Sequence, residues 1–372
     1  MFQWKKVIIA SMAAAVMGLG ANSAYAYKSC TDSKNICTNG ELYGSLLIES
    51  PANSDSGYSK NYMAAQGELQ VKTMSAEKDG WKASTVVDLN IKEAPGGAIT
   101  LDELYAKIAH SSGMFLRTGI MKIGDVETGN SYVPEVGNSN YGDYGNMQGD
   151  AGYLTGGYSA DGLNVELGLG LYDKSFEEAN PSGVAAYEAA VAAAYAQAVA
   201  AGVMTQAAAD AQAEAAAEAF GGTHFGIMNV DLAVKYEMDA LYVGFEYEMQ
   251  SYSELQDLPT GVELPDSKSS MGLAFSYNVS GFTPFLNYGS DVVDADNTNT
   301  QTNIGLDMDL GVVGLTVGME SDKNGDADAV TQTYLSVEKS LGEAVARFSY
   351  WMDGTENASV ASQIGIEIGT YF

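Results

Sequence analysis

Cysteine, histidine and proline are scarce here: two, two and seven in 372 residues. So few cysteines exclude a disulfide-built scaffold and a multi-cysteine metal module. The histidines, His110 and His224, have no serine or cysteine nucleophile with an orienting acid visible beside them. Phosphate loops, dinucleotide fingerprints and zinc-ligand spacings are missing too, and no enzymatic role is expected. Basic side chains are also short, 18 against 48 acids, for a net charge of −30. That field argues against nucleic acid and anionic membrane surfaces as partners and favours cations as traffic or counter-ions. Beyond the first residues, no apolar run is long enough to cross a bilayer as a helix.

The first residues are an exception with its own explanation. Lys5 and Lys6 precede an apolar run over 7–19, and Ala24-Tyr25-Ala26 offers a small-x-small cleavage site. Residues 1–26 therefore read as an export signal, with the mature chain starting near Tyr27. Without those two lysines the chain holds 16 bases against 48 acids, a formal charge of −32. In an oxidising compartment Cys30 and Cys37 can close a small disulfide loop. A metal or haem site would need a CxxC or CxxCH pattern, which the sequence does not contain.

What is abundant is glycine, 42 residues, and tyrosine, 23, with a mean hydropathy of −0.08. That mixture suits many twisted strands flanked by aromatic belts, for which Tyr236, Tyr247, Tyr277, Tyr288, Phe348 and Tyr350 are candidates. Segments of about ten residues alternate apolar and polar, the length of a tilted membrane strand with one face on lipid and one on water. In the clearest one, Leu163, Val165, Leu167, Leu169 and Leu171 interleave with Asn164, Glu166, Gly168 and Gly170. Sixteen such strands are predicted: 40–49, 62–73, 81–91, 100–109, 114–124, 151–160, 163–172, 224–236, 240–250, 268–278, 281–290, 300–310, 313–321, 330–340, 343–352 and 361–372.

After the first strand the connections run long, short, long, short. Outer-membrane barrels sort their turns this way, short on the periplasmic side and long outside, with an even strand count. A soluble sandwich has no reason to. The fold class is thus all-β, a transmembrane antiparallel up-and-down β-barrel over 27–372, located in a bacterial outer membrane as an integral, multi-pass protein.

Two long connections stand out. The third external one, 124–150, has no helical or strand period and five acids without a base. Structureless connections of this length are usually functional or disordered, and this one is expected to fold inward and narrow the pore. Asp125, Glu127, Tyr132, Glu135 and Asp143 are its candidate constriction residues. The fourth external connection carries an Ala-rich insert over 181–220, read as two helices joined near Gly202. It is a solvated hairpin beside the mouth, a cap over the pore, or a contact between protomers. A further loop places Asp322, Asn324, Asp326 and Asp328 at every second position, as calcium loops do. It lacks their glycine at the sixth position and glutamate at the twelfth, so calcium competes with a plain acidic loop, or with a divalent bridge to lipopolysaccharide.

With this organisation in view, the chain resembles the general bacterial porins of the Gram-negative outer membrane. Glu41-Leu42-Tyr43-Gly44 looks like the family's first strand and Tyr371-Phe372 like its aromatic end. Pro134-Glu135-Val136-Gly137 is similar to the Pro-Glu-Phe-Gly of its inward-folded third loop. The resemblance implies sixteen strands, a trimer and a loop acid, here Glu135, facing bases across the channel. Ser131 stands where the family often carries a second acid. The family's arginine row has no clean counterpart, and Lys72, Lys82, Lys107 and Arg117 are the candidate basic wall. Passive diffusion of small hydrophilic solutes is implied. Inward acids outnumber inward bases, so cations should be preferred. The competing expectation is a closed-lumen barrel whose external loops bind a surface or another protein.

Overall fold

The computed structural model describes residues 36–51, 61–92, 98–121, 123, 152–175, 181–222, 224–254, 267–294, 297–325, 327–342, 344–353 and 360–371. Among these, sixteen strands follow one another: β1 Ile36–Pro51, β2 Asn61–Met74, β3 Trp81–Lys92, β4 Ala98–His110, β5 Met114–Ile120, β6 Gly152–Ala160, β7 Leu163–Ser175, β8 His224–Met238, β9 Leu241–Glu254, β10 Lys268–Tyr277, β11 Phe282–Asp294, β12 Asn297–Asp309, β13 Gly314–Asn324, β14 Val330–Leu341, β15 Ala344–Asp353 and β16 Val360–Tyr371. Two helices, α1 (Pro181–Ala200) and α2 (Gln206–Gly221), lie between β7 and β8. Each strand pairs antiparallel with its neighbours in the chain, and β1 also pairs with β16, so the sheet closes into a barrel. Closure leaves no unpaired edge, which a sheet in hydrocarbon requires.

The barrel is inverted relative to a water-soluble protein. On β7, Leu167, Leu169 and Leu171 are 57%, 41% and 64% exposed, while Glu166 between them is 6% exposed. The same alternation sets Leu273 and Phe275 outward on β10 against buried Ser270, Ala274 and Ser276. Leucines facing out in every second position cannot be a soluble core. They need an apolar solvent outside, and the polar face needs water or partners inside.

One rim is made of tight turns. Asp79-Gly80, Asp161-Gly162 and Ser280-Gly281 all take positive φ at both residues, the two-residue geometry whose twist matches that of paired strands. Exposed aromatics ring this rim: Trp81, Tyr158, Tyr277 and Phe282 each sit within two residues of a strand end. Amphipathic rings favour that interfacial depth. The opposite rim carries the long connections, with one departure from expectation. A loop over 291–299 is predicted, but β11 and β12 extend until Asp294 pairs with Asn297. Cross-strand pairing past the bulge at Val292 sustains the ladder where polar composition suggests a loop.

Strand β5 departs in the other direction, ending at Ile120 rather than at 124. Met121 (3% exposed) and Ile123 (0%) leave the wall and join an interior cluster with Tyr153 and Ala233. Both alternate like strand residues in sequence, but their partners are lumen-facing side chains rather than lipid.

Candidate functional site

The four candidate bases come from four consecutive strands. Lys72, Lys82, Lys107 and Arg117 occupy inner-face positions of β2, β3, β4 and β5. Lys107 and Arg117 are direct cross-strand partners. Aromatic rings help to hold them. The Lys107 Nζ lies 4.2 Å from the centre of the Phe115 ring, and the Arg117 guanidinium 5.2 Å from that of Tyr105. Arg117 then reaches across β6 to β7, where its Nε donates to Glu166 Oε1 at 2.8 Å and its Nη2 reaches the same oxygen. Thr155 donates a third hydrogen bond to that oxygen, at 2.5 Å.

Further round the wall the sign changes. Asp231, Glu246, Glu248, Asp307, Glu320 and Glu338 are buried on the inner faces of β8, β9, β12, β13 and β14. Bases are thus concentrated on β2 to β5, where Asp88 is also buried, and buried acids on β8 to β14. Of these acids, Glu320 and Glu338 escape the sequence reading. Strand phase alone could have found them, because Glu320 alternates with Gly318 and Asp322 on β13. Asp309, two residues after the buried Asp307 and in the same phase, is exposed at the end of β12.

Two ordered clusters stabilise this inner surface. Arg347 on β15 donates through Nε to Glu338 at 2.6 Å and through Nη1 to Glu367 at 2.8 Å, linking β14, β15 and β16. Beside the loop rim, Asn229 donates to the Tyr153 hydroxyl at 2.7 Å and to Glu248 at 3.0 Å. Gln250 continues the chain of hydrogen bonds to Asn229 and the Tyr172 hydroxyl. An aromatic group of Phe285, Tyr334 and Trp351 also lies inside. Phe285 rests over Gly305 and Tyr334 over Gly318, positions with no side chain to obstruct them.

The stem of the third external loop meets this wall at a glycine. Ile123 lies against Gly168 on β7, so closely that any Cβ there would collide with its Cδ1. Next along the strand, Gly170 receives the ring of Tyr153. The alternation Gly168-x-Gly170 therefore makes a recess that receives Ile123 and Tyr153. The expected constriction residues Asp125, Glu127, Tyr132, Glu135 and Asp143 lie outside the described residues. So do Cys30 of the expected disulfide and Asp326 of the expected calcium loop. Asp322 and Asn324 belong to β13 and pair with Gln301 and Asn299. They stand on an extended strand rather than in a calcium-type loop, and Asp328 follows the strand's end.

The Ala-rich insert is the expected helical hairpin, with Gly202 at φ +71° between the helices and Thr205 capping α2. Ala209, Ala213 and Ala217 bury one face of α2. At its root Phe220 packs with Phe225 and Ile227 of β8, and Tyr172, Tyr187 and Tyr252 complete the cluster. Phe225 and Ile227 alternate in phase with Asn229 and Asp231, all four buried, so the hairpin is rooted on the inner side of the mouth rather than beside it. His110, on the short-turn rim, touches the Ser112 hydroxyl at 2.8 Å and the ring of Trp81 at 4.8 Å. No acid orients it among the described residues.

No family model matches the chain, and no curated protein matches it. Solved structures do. An OmpF from Salmonella typhi, in complex with daunomycin, is 12% identical over 91% of this chain and 97% of its own, with a TM-score of 0.62. A loop-deleted OmpT, an outer-membrane protein of Vibrio cholerae, is 12% identical over 91% and 99%, with a TM-score of 0.57. A mutant Rh. blastica porin is 10% identical over 91% and 100%, with a TM-score of 0.52. The fold is that of the outer-membrane porins.

Proposed function

We propose that this chain is an outer-membrane porin, a water-filled channel for passive diffusion of small hydrophilic solutes and ions, with cations preferred. The observation that carries the proposal is the inverted barrel: a buried polar face inside and leucines outside. A sixteen-stranded barrel is too wide for its own side chains to fill, so water fills what remains. Selectivity follows from the charges along the wall, where low-dielectric surroundings concentrate the field. The acids on the wall outweigh the four bases, and Arg117 is already engaged by Glu166. The third external loop, with Glu135 in the role the porin resemblance assigns it, narrows the passage.

Assembly as a homotrimer follows from the same resemblance, and lipopolysaccharide is the expected outer-leaflet neighbour. A second reading draws on the hairpin rooted in the mouth: a closed barrel that binds other surfaces through its loops. Planar-bilayer recording separates the two. Stepwise conductance with a reversal potential favouring cations supports the channel, and a silent bilayer containing folded protein supports the closed barrel.

A further inference from the structure

Two side-chain clusters on the inner wall share a residue. Tyr172 packs against the cluster of Met121, Ile123, Tyr153 and Ala233. It also packs against Phe220, Phe225 and Ile227 at the root of the helical hairpin. The backbone explains how one side chain serves both. Gly168, Gly170 and Tyr172 stand in line on the inner face of β7, opposite Asp231, Asn229 and Ile227 of β8. Ile123 takes the space a Cβ on Gly168 would need, and the Tyr153 ring takes that of Gly170. Tyr172 is thus the first side chain beyond two bare positions, and its cross-strand partner belongs to the hairpin root.

A line of hydrogen bonds runs beside this packing. The ring of Tyr252 lies 5.7 Å from that of Phe225, and its hydroxyl donates to Gln250 Oε1 at 2.6 Å. Gln250 donates to the Tyr172 hydroxyl at 3.0 Å and to Asn229 Oδ1 at 3.1 Å. Asn229 in turn donates to the Tyr153 hydroxyl and to Glu248. Each amide uses its nitrogen twice, so neither can turn without breaking a bond. The hairpin end is just as tight, with the rings of Tyr187 on α1 and Phe220 on α2 centred 4.6 Å apart. Close-packed interiors compress little and pass a displacement from one side chain to the next. The wall behind them is pinned by the closed ladder of strands.

We propose that the hairpin sets the position of the chain just beyond β5, with Tyr172 as the positioning residue between them. The hairpin extends outward to a turn where Val203 is 82% exposed, and the third external connection continues from Ile123. Contact made with the hairpin outside is therefore transmitted to the start of that connection, along a contiguous set of packed and hydrogen-bonded groups. The coupling holds whether or not the barrel conducts. Only its effect on transport rests on the channel reading.

Methyl NMR of the full-length, detergent-purified barrel carrying labelled methionine reads the coupling without a current. The Met121 signal is assigned by its loss in Met121→Leu. Phe220→Ala, which empties the hairpin root, should move that signal by more than its linewidth and leave Met319 on β13 in place. Tyr172→Leu should also move it, and adding Phe220→Ala to Tyr172→Leu should bring no further shift, the non-additivity of a connected group. Tyr172→Phe keeps the ring that does the packing and should stay close to the parent. If Phe220→Ala does not assemble, Tyr187→Ala loosens the same root more gently and serves in its place. In planar bilayers Phe220→Ala and Tyr172→Leu should shift the unitary conductance in the same direction, and Tyr172→Phe should not. A silent bilayer alongside a moved Met121 signal counts against the channel reading and upholds the coupling. A Met121 signal unmoved by Phe220→Ala or Tyr187→Ala, or moved equally with and without Tyr172, overturns the proposal.

Discussion

Ile123 and Gly168 interlock: the isoleucine just beyond β5 occupies the space a side chain on β7 would take. Replacing Gly168 with valine should lift the stem off the wall while the backbone of β7 remains able to pair. The expected outcome is a folded barrel with altered unitary conductance and more frequent sub-state transitions, read in planar bilayers. Conductance identical to the parent protein would show that this junction does not position the constriction.

Loop charge is testable separately. Glu135→Gln should shift the zero-current potential in a salt gradient towards lower cation preference. A reversal potential that does not move would take Glu135 out of the selectivity mechanism and leave it to the wall acids.

Arg347 is clasped between Glu338 and Glu367, with all three nearly or fully buried. Substituting methionine alone leaves two carboxylates without their base, and removing one partner of a buried pair typically costs about 3–5 kcal/mol. Urea unfolding followed by heat-modifiable mobility should register the loss. The triple variant R347M/E338Q/E367Q should recover much of it, and a single variant as stable as the parent would contradict this account.

Leu167 points outward at 57% exposure near the middle of β7. An arginine there meets hydrocarbon, at a cost of about 2–4 kcal/mol if the position lies at the bilayer midplane. The neighbouring Glu166 faces inward. Leu167→Arg should slow assembly into lipid vesicles, whereas Leu167→Ile should not. Equal assembly of the two would argue that this face does not contact lipid.

Much of the architecture could be read from the residues because alternation in a membrane barrel is unusually strict. Leu163 to Leu171 on β7 gives both the strand and its orientation, since lipid tolerates no register slip. Where reading failed, tertiary partners had overridden local pattern. Met121 and Ile123 continue the inward phase of Arg117, yet they lie beyond the end of β5 and pack on Tyr153 and Ala233 inside. The polar stretch around Asp294 and Asn297 looks like a loop, yet it is held as strand by its pairing. Strand phase marks Glu338 as an inward acid, but its pairing with Arg347 is set by the register of β14 on β15. The hairpin could be predicted from alanine content, but its root could not, because Phe225 and Ile227 bear the same spacing as ordinary wall residues.

Every seam of this sheet but one joins strands adjacent in the polypeptide, and most can zip as soon as both halves of a hairpin exist. The exception is β1 against β16, which must wait for the last stretch to be made. Maturation is therefore gated at its end: until that final ribbon docks, two sticky borders face outward.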